Sequence, residues 1–429
     1  MHPLHSAPRR IRALFVSFAL ALAATAARAA PLVDVHALAQ QEQQPLLDTL
    51  RDLVNIESGS KDIEGLNRIA ERIASQLKGF GGAVEILQPT DVYRLDDTPE
   101  RVGPAVQAVF KGTGSASIML IAHMDTVYLK GMLKDQPFHI DGDKAYGLGI
   151  ADDKQGIAVI LHSVALLQKL NFRQYGTLTV LINGDEEISS PGWRSTITRL
   201  AAEQDAVFSF EGSGLDGTLR LATSGIGSAY LSVHGKASHA GARPEGGVNA
   251  LYELSHQLLQ MKDLSKAEEG LKLNWTVATA GTNRNVIPAE AAAQADARAL
   301  RISDFDALEK ALQDKIKNRL LPDSRVELKF EVRRPPLEPS DAARRLTGHG
   351  KAIYGELGMT LNVAEKATGG GTDAAFAALK ARGAVVEGMG LSGFGAHSND
   401  AEYVRTDSIV PRLYLTARLI MDLSSGKLK

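Results

Sequence analysis

Cysteine is absent from the 429-residue chain. Disulfide bonds, thiolate metal ligands and thiol nucleophiles are thereby excluded, although the absence by itself does not place the chain inside a cell. An excess of charge of one sign is also missing: 48 Lys and Arg stand against 50 Asp and Glu, for a formal net charge of -2. That balance argues against a nucleic-acid partner. Beyond the N-terminal segment no apolar run approaches the ~20 residues that span a membrane, and there is neither an internal repeat nor a low-complexity tract. What remains is an ordinary globular composition, 44% hydrophobic and 23% charged. The chain is longer than one hydrophobic core usually supports, so two domains are expected.

The N-terminal segment has its own logic. Arg9, Arg10 and Arg12 precede the apolar run ALFVSFALALAATAA, and Ala27-Arg28-Ala29 offers small residues at the spacing a signal peptidase reads. Residues 1–29 are therefore read as a secretory signal, which makes the mature protein periplasmic or secreted and free of the membrane.

Periodicity organises the rest. After a polar lead-in, LLDTLRDLVNI reads as a helix, and Leu66, Ile69, Ile73 and Leu77 fall on one face of a second. AVEIL, AVQAVF and SIMLIA read as strands, and Ile157, Ile160, Leu161, Val164 and Leu167 mark a helix after Asp152. This is the rhythm of an α/β sheet with crossovers. It changes near residue 224: strand, helix, two strands, a helix capped by Ser303 with Asp306, and a last strand RVELKFEV give the order βαββαβ. The expected organisation is a catalytic domain in two parts, 30–224 and 334–429, with a two-layer unit at 225–333 inserted between them.

The chemistry concentrates between Ser117 and Glu211. His123, Asp125, Asp152, Glu186, Glu187 and Glu211 each lie just beyond an apolar run or in a Gly-rich connection, where ligands gather at the carboxyl ends of strands in an open α/β sheet. One His with several carboxylates and no thiolate suggests zinc or a related divalent ion. A lone His would more simply be a surface or core imidazole, but here three acidic loops follow it. The adjacent pair Glu186-Glu187 would repel if buried bare; a metal on one and a proton or water on the other removes that cost. Acidic pairs also occur harmlessly at helix N-termini.

Taken in order, HMDTV, GLGIADDKQG, DEE, FEG, GKASHAG, NVIP, GGGTDAA and the late Gly-Phe-Gly-Ala-His span nearly all of the mature chain. Together they resemble the dizinc aminoacylase, dipeptidase and succinyl-diaminopimelate desuccinylase family of metallopeptidases, most of all its secreted bacterial glutamate carboxypeptidases. The resemblance implies a mixed-sheet α/β catalytic domain of the zinc-exopeptidase kind with an inserted lid and dimerisation domain, and two zinc ions per chain. It implies that Asp152 bridges the ions, that His123 and Glu211 complete one site and Glu187 and His397 the other. Glu186 matches the general base and acid, and Asp125 the orienter of His123. His239 matches a group that stabilises the oxyanion, often from across a homodimer. Asn285, Arg334 and the loop with Gly370, Gly371 and Thr372 match groups facing the substrate, with Arg333 as the alternative where the joint VRRPP departs from the family pattern. The implied reaction is hydrolysis of the amide bond to a C-terminal glutamate in folate-like or other N-acyl-glutamate substrates. A broader aminoacylase or dipeptidase, and a non-catalytic dimeric binding protein, are the alternatives.

Overall fold

The computed structural model describes residues 30–398 and 401–428, so the secretory signal read at 1–29 lies outside the described residues. Three helices open the chain: α1 (Val33–Gln41), α2 (Gln43–Val54) and α3 (Ile63–Gly79). The first of these occupies the stretch read from sequence as a polar lead-in. It packs on the C-terminal helix through buried Val35 and Ala39, and this tertiary contact stabilises a helix whose own pattern is weak.

A six-stranded sheet follows, made of β1 (Ala83–Leu87), β2 (Ala105–Lys111), β3 (Ser117–His123), β4 (Thr177–Asn183), β5 (Ala206–Ser209) and β10 (Ala384–Val386) in the order β1-β2-β4-β3-β5-β10. β3, β4, β5 and β10 run parallel, and β2 and β1 close one side through antiparallel pairings, so that β2 alone is reversed. The sheet is mixed, as expected. Strand alternation sends Ile118, Leu120 and Ala122 into one core and Met119 and Ile121 into another on the opposite face. Burial on both faces explains why these strands read as unbroken apolar runs.

The larger core lies under α1–α3, α4 (Gln155–Lys169), α8 (Asp341–Glu356) and α10 (Ile409–Ser424); the smaller one lies under α5 (Arg194–Ala201) and α9 (Ala374–Ala378). α8 escaped the sequence reading because DAARRLTGHGKAIYGE carries three glycines, which weaken intrinsic helix preference. Ser340 caps it by accepting from Ala343 N–H at 3.1 Å.

Residues 225–334 form a second sheet of four antiparallel strands, β6 (Gly225–His234), β7 (Lys272–Ala280), β8 (Glu290–Ala299) and β9 (Arg325–Arg334), in the order β7-β8-β6-β9. α6 (Ala250–Met261) and α7 (Ile302–Lys315) cover one face. The order is βαββαβ, with a small two-stranded pairing of Ser238–His239 and Val286–Ile287 added at the end of the unit. One detail is corrected: α7 begins at Ile302, and no side chain caps its N-cap Arg301, so Ser303 lies inside the helix.

Candidate metal centre and active-site cleft

Because β3, β4 and β5 are parallel, their carboxyl ends share one edge, and the segments leaving them carry His123, Glu186-Glu187 and Glu211 to the same place. Asp152 joins from the turn 150–154 that follows Gly149 and precedes α4, and His397 from the loop after Gly393–Phe394. His397 has φ 64°, in the left-handed region that a non-glycine residue rarely enters and that clusters at functional sites.

Two sets of donor atoms each lie within 4.8 Å of one another: His123, Glu186 and Glu211, and His123, Asp152 and Glu187. Direct contacts divide the cluster differently from distance alone. Asp152 Oδ1 is 3.0 Å from His123 Nε2, which is 3.5 Å from Glu211 Oε1. Asp152 Oδ2 is 3.1 Å from His397 Nε2, which is 3.2 Å from Glu187 Oε2. The two oxygens of one carboxylate therefore face two separate imidazole and carboxylate pairs. We follow this division, because Glu186 is already engaged by a cation.

That cation is Arg334. Its Nη1 lies 2.7 Å from Glu186 Oε1, off the line of a hydrogen bond, so the attraction there is electrostatic; Nη2 donates to the Glu186 carbonyl at 2.7 Å. Nη1 also donates to Asp373 Oδ1 at 3.0 Å. Only 2% exposed, Arg334 holds the segment of Glu186 rather than standing open to solvent. Gly371 permits this, since a Cβ there would meet Ser224 O at 2.8 Å and Arg334 Cδ at 3.0 Å.

Asp125 does more than face His123. Its carboxylate accepts from Glu186 N–H at 3.0 Å, Glu187 N–H at 3.2 Å and Ser60 Oγ–H at 2.8 Å, while its backbone carbonyl, 3.0 Å from His123 Nδ1, is closer to the ring than the carboxylate at 3.4 Å. Asp153, the next residue after Asp152, is buried and accepts from the Gln155 side chain at 2.7 Å.

Electrostatics fit a dinuclear cation site. Burial pushes the Glu187 carboxyl up to about 7, and the Asp152 charge pushes the same way. Burial pushes Glu186 well above the usual range, against the attraction of Arg334. Hydrogen bonds to Asp152 and Glu187 push His397 up to about 11. Glu187 Oε1 is buried without a hydrogen-bond partner, an orphan acceptor of the kind a cation satisfies. The donors are nitrogen and carboxylate oxygen, which suits zinc and its neighbours.

Beside the cluster opens a cleft of about 700 Å³ that reaches from Asp152, Glu187 and His397 to the inserted sheet. Gly370, Gly371 and Thr372 line it, although the Thr372 hydroxyl donates to Glu387 at 2.7 Å. Arg333 lines it too and pairs with Asp97 at 2.7 Å. His239 and Asn285 are not among the lining residues; both sit by the small pairing of Ser238–His239 with Val286–Ile287. Three contributors were missed in the sequence. Arg220 and Arg298 are cations of the cleft, and among the described residues Arg220 forms no ion pair, donating only to the Gly212 carbonyl at 2.8 Å. Glu402 accepts from Gly149, Ala151 and Asp152 N–H at 2.9, 2.7 and 3.2 Å, clamping the turn that carries Asp152.

An α/β fold with an inserted sheet, and an acidic and imidazole cluster at the carboxyl edge of its strands, define a metal-dependent hydrolase class. Residues 119–422 match Peptidase family M20/M25/M40, and the chain belongs to that family. It is 45% identical over 390 residues to Carboxypeptidase G2 of Pseudomonas sp. (strain RS-16), covering 91% of this chain and 92% of that protein. Among solved structures, aminopeptidase PepT from Bacillus cereus superposes with TM-score 0.72 at 20% identity, covering 89% of this chain and 98% of that one. The M20 family metallo-carboxypeptidase Sso-CP2 from Sulfolobus solfataricus gives 0.68 at 17% identity, covering 88% and 98%. These two likenesses establish the fold; the family assignment and the two donor clusters make the chain a metallopeptidase with a dizinc-type centre.

Proposed function

We propose that the protein is a carboxypeptidase that releases C-terminal glutamate from N-acyl-glutamate substrates, folate-like compounds among them. The observation that carries this reading is Arg220, an arginine without an ion pair among the described residues, in a cleft that opens directly on the acidic cluster. A glutamate end brings two carboxylates that leave water on binding, and such groups demand charged donors. The likeness to Carboxypeptidase G2 supports the same reading.

His123, Asp152 and Glu211 would hold one divalent ion, and Asp152, Glu187 and His397 the other. Such ions would supply Lewis acidity toward the scissile carbonyl. Glu186 takes a proton from the attacking water and delivers it to the departing amine; its burial raises its proton affinity, and Arg334 fixes its position. Asp125 sets the backbone of both glutamates and, through its carbonyl, the orientation of His123. Arg220 is the anchor for a substrate carboxylate, and Gly370 and Gly371 allow close approach of backbone. His239 Nδ1 accepts from Gly241 and Ala242 N–H, which leaves the proton on Nε2 and makes that atom a donor for the oxyanion.

We place His239 and Asn285 at the cleft of a second copy in a two-fold homodimer. The exposed edge strand β7, with Val277, and the exposed Leu251, Tyr252 and Leu259 of α6 support that assembly. The leader-like residues 1–29 support a periplasmic or secreted location; among the described residues no helix is long and apolar enough to cross a membrane.

The test is a panel of N-acyl amino acids varied only at the C-terminal residue. Acyl-glutamate should exceed acyl-alanine in kcat/KM by at least roughly tenfold, and Arg220→Ala should cost about 1.5–3 kcal/mol of that preference, as a charged hydrogen bond does. Equal values for glutamate and alanine would remove the glutamate reading and leave a broad aminoacylase.

A further inference from the structure

We propose that Asp96 and Asp97 are positioning residues: the turn that carries them straps the end of β9 and, through Arg334, fixes Glu186 where it can move a proton. The proposal rests on the reading of Glu186 as the proton carrier. The turn belongs to the connection between β1 and β2 of the catalytic domain, and β9 is the strand that returns the chain from the inserted sheet.

The turn is held by its own bonds. Leu95 N–H donates to Thr98 Oγ1 at 2.8 Å, and the Leu95 carbonyl accepts from Thr98 N–H at 3.2 Å, which leaves Asp96 and Asp97 at the tip. Arg94 braces it from behind, donating to the carbonyls of Pro99 at 2.7 Å and Glu100 at 3.3 Å. From the tip, three contacts reach one strand: Arg333 donates to Asp97 at 2.7 Å, Lys329 to Asp96 at 3.4 Å, and Asp96 N–H to Glu331 at 3.4 Å. β9 bulges there, since Val332 pairs with Gly227 and Arg334 with Ile226, so that Arg333 is the extra residue in the ladder. A bulge re-aims side chains. This one sends Arg333 to Asp97, while Arg334 donates to the Glu186 carbonyl.

A second line of contacts joins the same segments. Arg194 donates to the Ser189 carbonyl at 2.5 Å and to the Arg333 carbonyl at 2.8 Å. Its guanidinium lies 4.5 Å from the centre of the Tyr93 ring, and Tyr93 N–H donates to the Pro191 carbonyl at 2.9 Å. Gly192 permits this approach, because a Cβ there would stand 2.9 Å from Pro89 Cβ. The strap, the segment that follows Glu186-Glu187 and the joint between the two domains therefore meet at one place. The Asp97 side chain is 64% exposed, and so exposed a pair adds little to stability. Its effect is on position, where a shift of ~1 Å in a reacting group is costly in rate.

The experiment compares the zinc-loaded wild type with an Asp96→Asn/Asp97→Asn variant on N-acetylglutamate and N-acetylalanine. The variant should lose kcat by roughly fivefold or more, within the reach of a small misplacement of a reacting group, while KM for N-acetylglutamate stays within about twofold. Its kcat/KM should fall by the same factor on both substrates, because the strap acts on the proton carrier and not on a substrate side chain. Zinc content and the urea midpoint should match wild type. Unchanged kcat overturns the proposal, as does a loss confined to KM or to N-acetylglutamate, or one that accompanies lost zinc or a lowered midpoint. Should the variant not fold, wild type alone gives the answer: kcat should decline as NaCl rises toward about 1 M, where the screening length is ~3 Å, and a kcat indifferent to salt overturns the strap. Failure of the proton-carrier reading looks different, because Glu186→Gln then keeps wild-type kcat with the strap intact.

Discussion

Asp152 shows most economically how one side chain organises two sites, since each of its oxygens meets a different imidazole. The hydrogen bonds that raise His397 to about 11 keep it protonated at neutral pH in the metal-free chain, whereas a ligand imidazole must be neutral. Ion binding should therefore release protons, and affinity should rise with pH up to that value. Calorimetric zinc titrations in buffers of different ionisation enthalpy measure this directly; no proton release at pH 7 would contradict it. Arg334 lends itself to a second prediction. Removing it leaves Glu186 and Asp373 buried without their cation, so Arg334→Ala should cost about 3–5 kcal/mol of stability in urea unfolding. A variant of unchanged stability with only a raised KM would return Arg334 to the substrate-binding role expected from sequence. HMD and DEE were legible because ligand and neighbour are adjacent in the chain. Arg220 and Glu402 were not, because neither carries a local signal; Glu402 acts on Ala151 across 251 positions.

The turn 149–152 is the element on which the centre depends: Ile150 and Ala151 anchor it in the large core, and Glu402 gathers three of its backbone N–H groups. Burial pushes that carboxyl up to about 7, against the hydrogen bonds from Tyr128 and the turn that favour its charge. Glu402→Ala should release the turn and lower zinc affinity by roughly 10–100-fold, as loss of groups supporting metal ligands does. Competition with a chelator of known affinity measures it, and unchanged zinc affinity would remove the clamp from the account. The continuous apolar runs of β3 and β4 and the helical spacing of α4 were readable from sequence alone. The helices at Val33–Gln41 and Asp341–Glu356 were not, because their stability comes from packing on α10 and on the sheet rather than from their own pattern.

For the whole molecule, the large cores exist without the metal centre, so the metal-free protein should be folded and inactive. Its stability should fall as pH rises. Burial pushes Asp185 and Glu387 up to about 8 and Glu187 up to about 7, so the folded chain keeps protons that the unfolded chain loses near pH 4. Between those limits the slope is at most about 1.4 kcal/mol per pH unit for each proton. Urea unfolding of the metal-free protein from pH 5 to 8 should show the decline, and Asp185→Asn should flatten it; a midpoint that climbs over that range would contradict the assignment. Whether two divalent ions and one separate carboxylate make the active centre is decided by metal analysis alongside kinetics of Glu186→Gln and Glu187→Gln. Wild type and Glu186→Gln should each hold two ions per chain, with kcat nearly abolished in the latter, and Glu187→Gln should bind one ion more weakly. Fewer than two ions in fully active wild type, or wild-type kcat in a metal-replete Glu186→Gln variant, would contradict it.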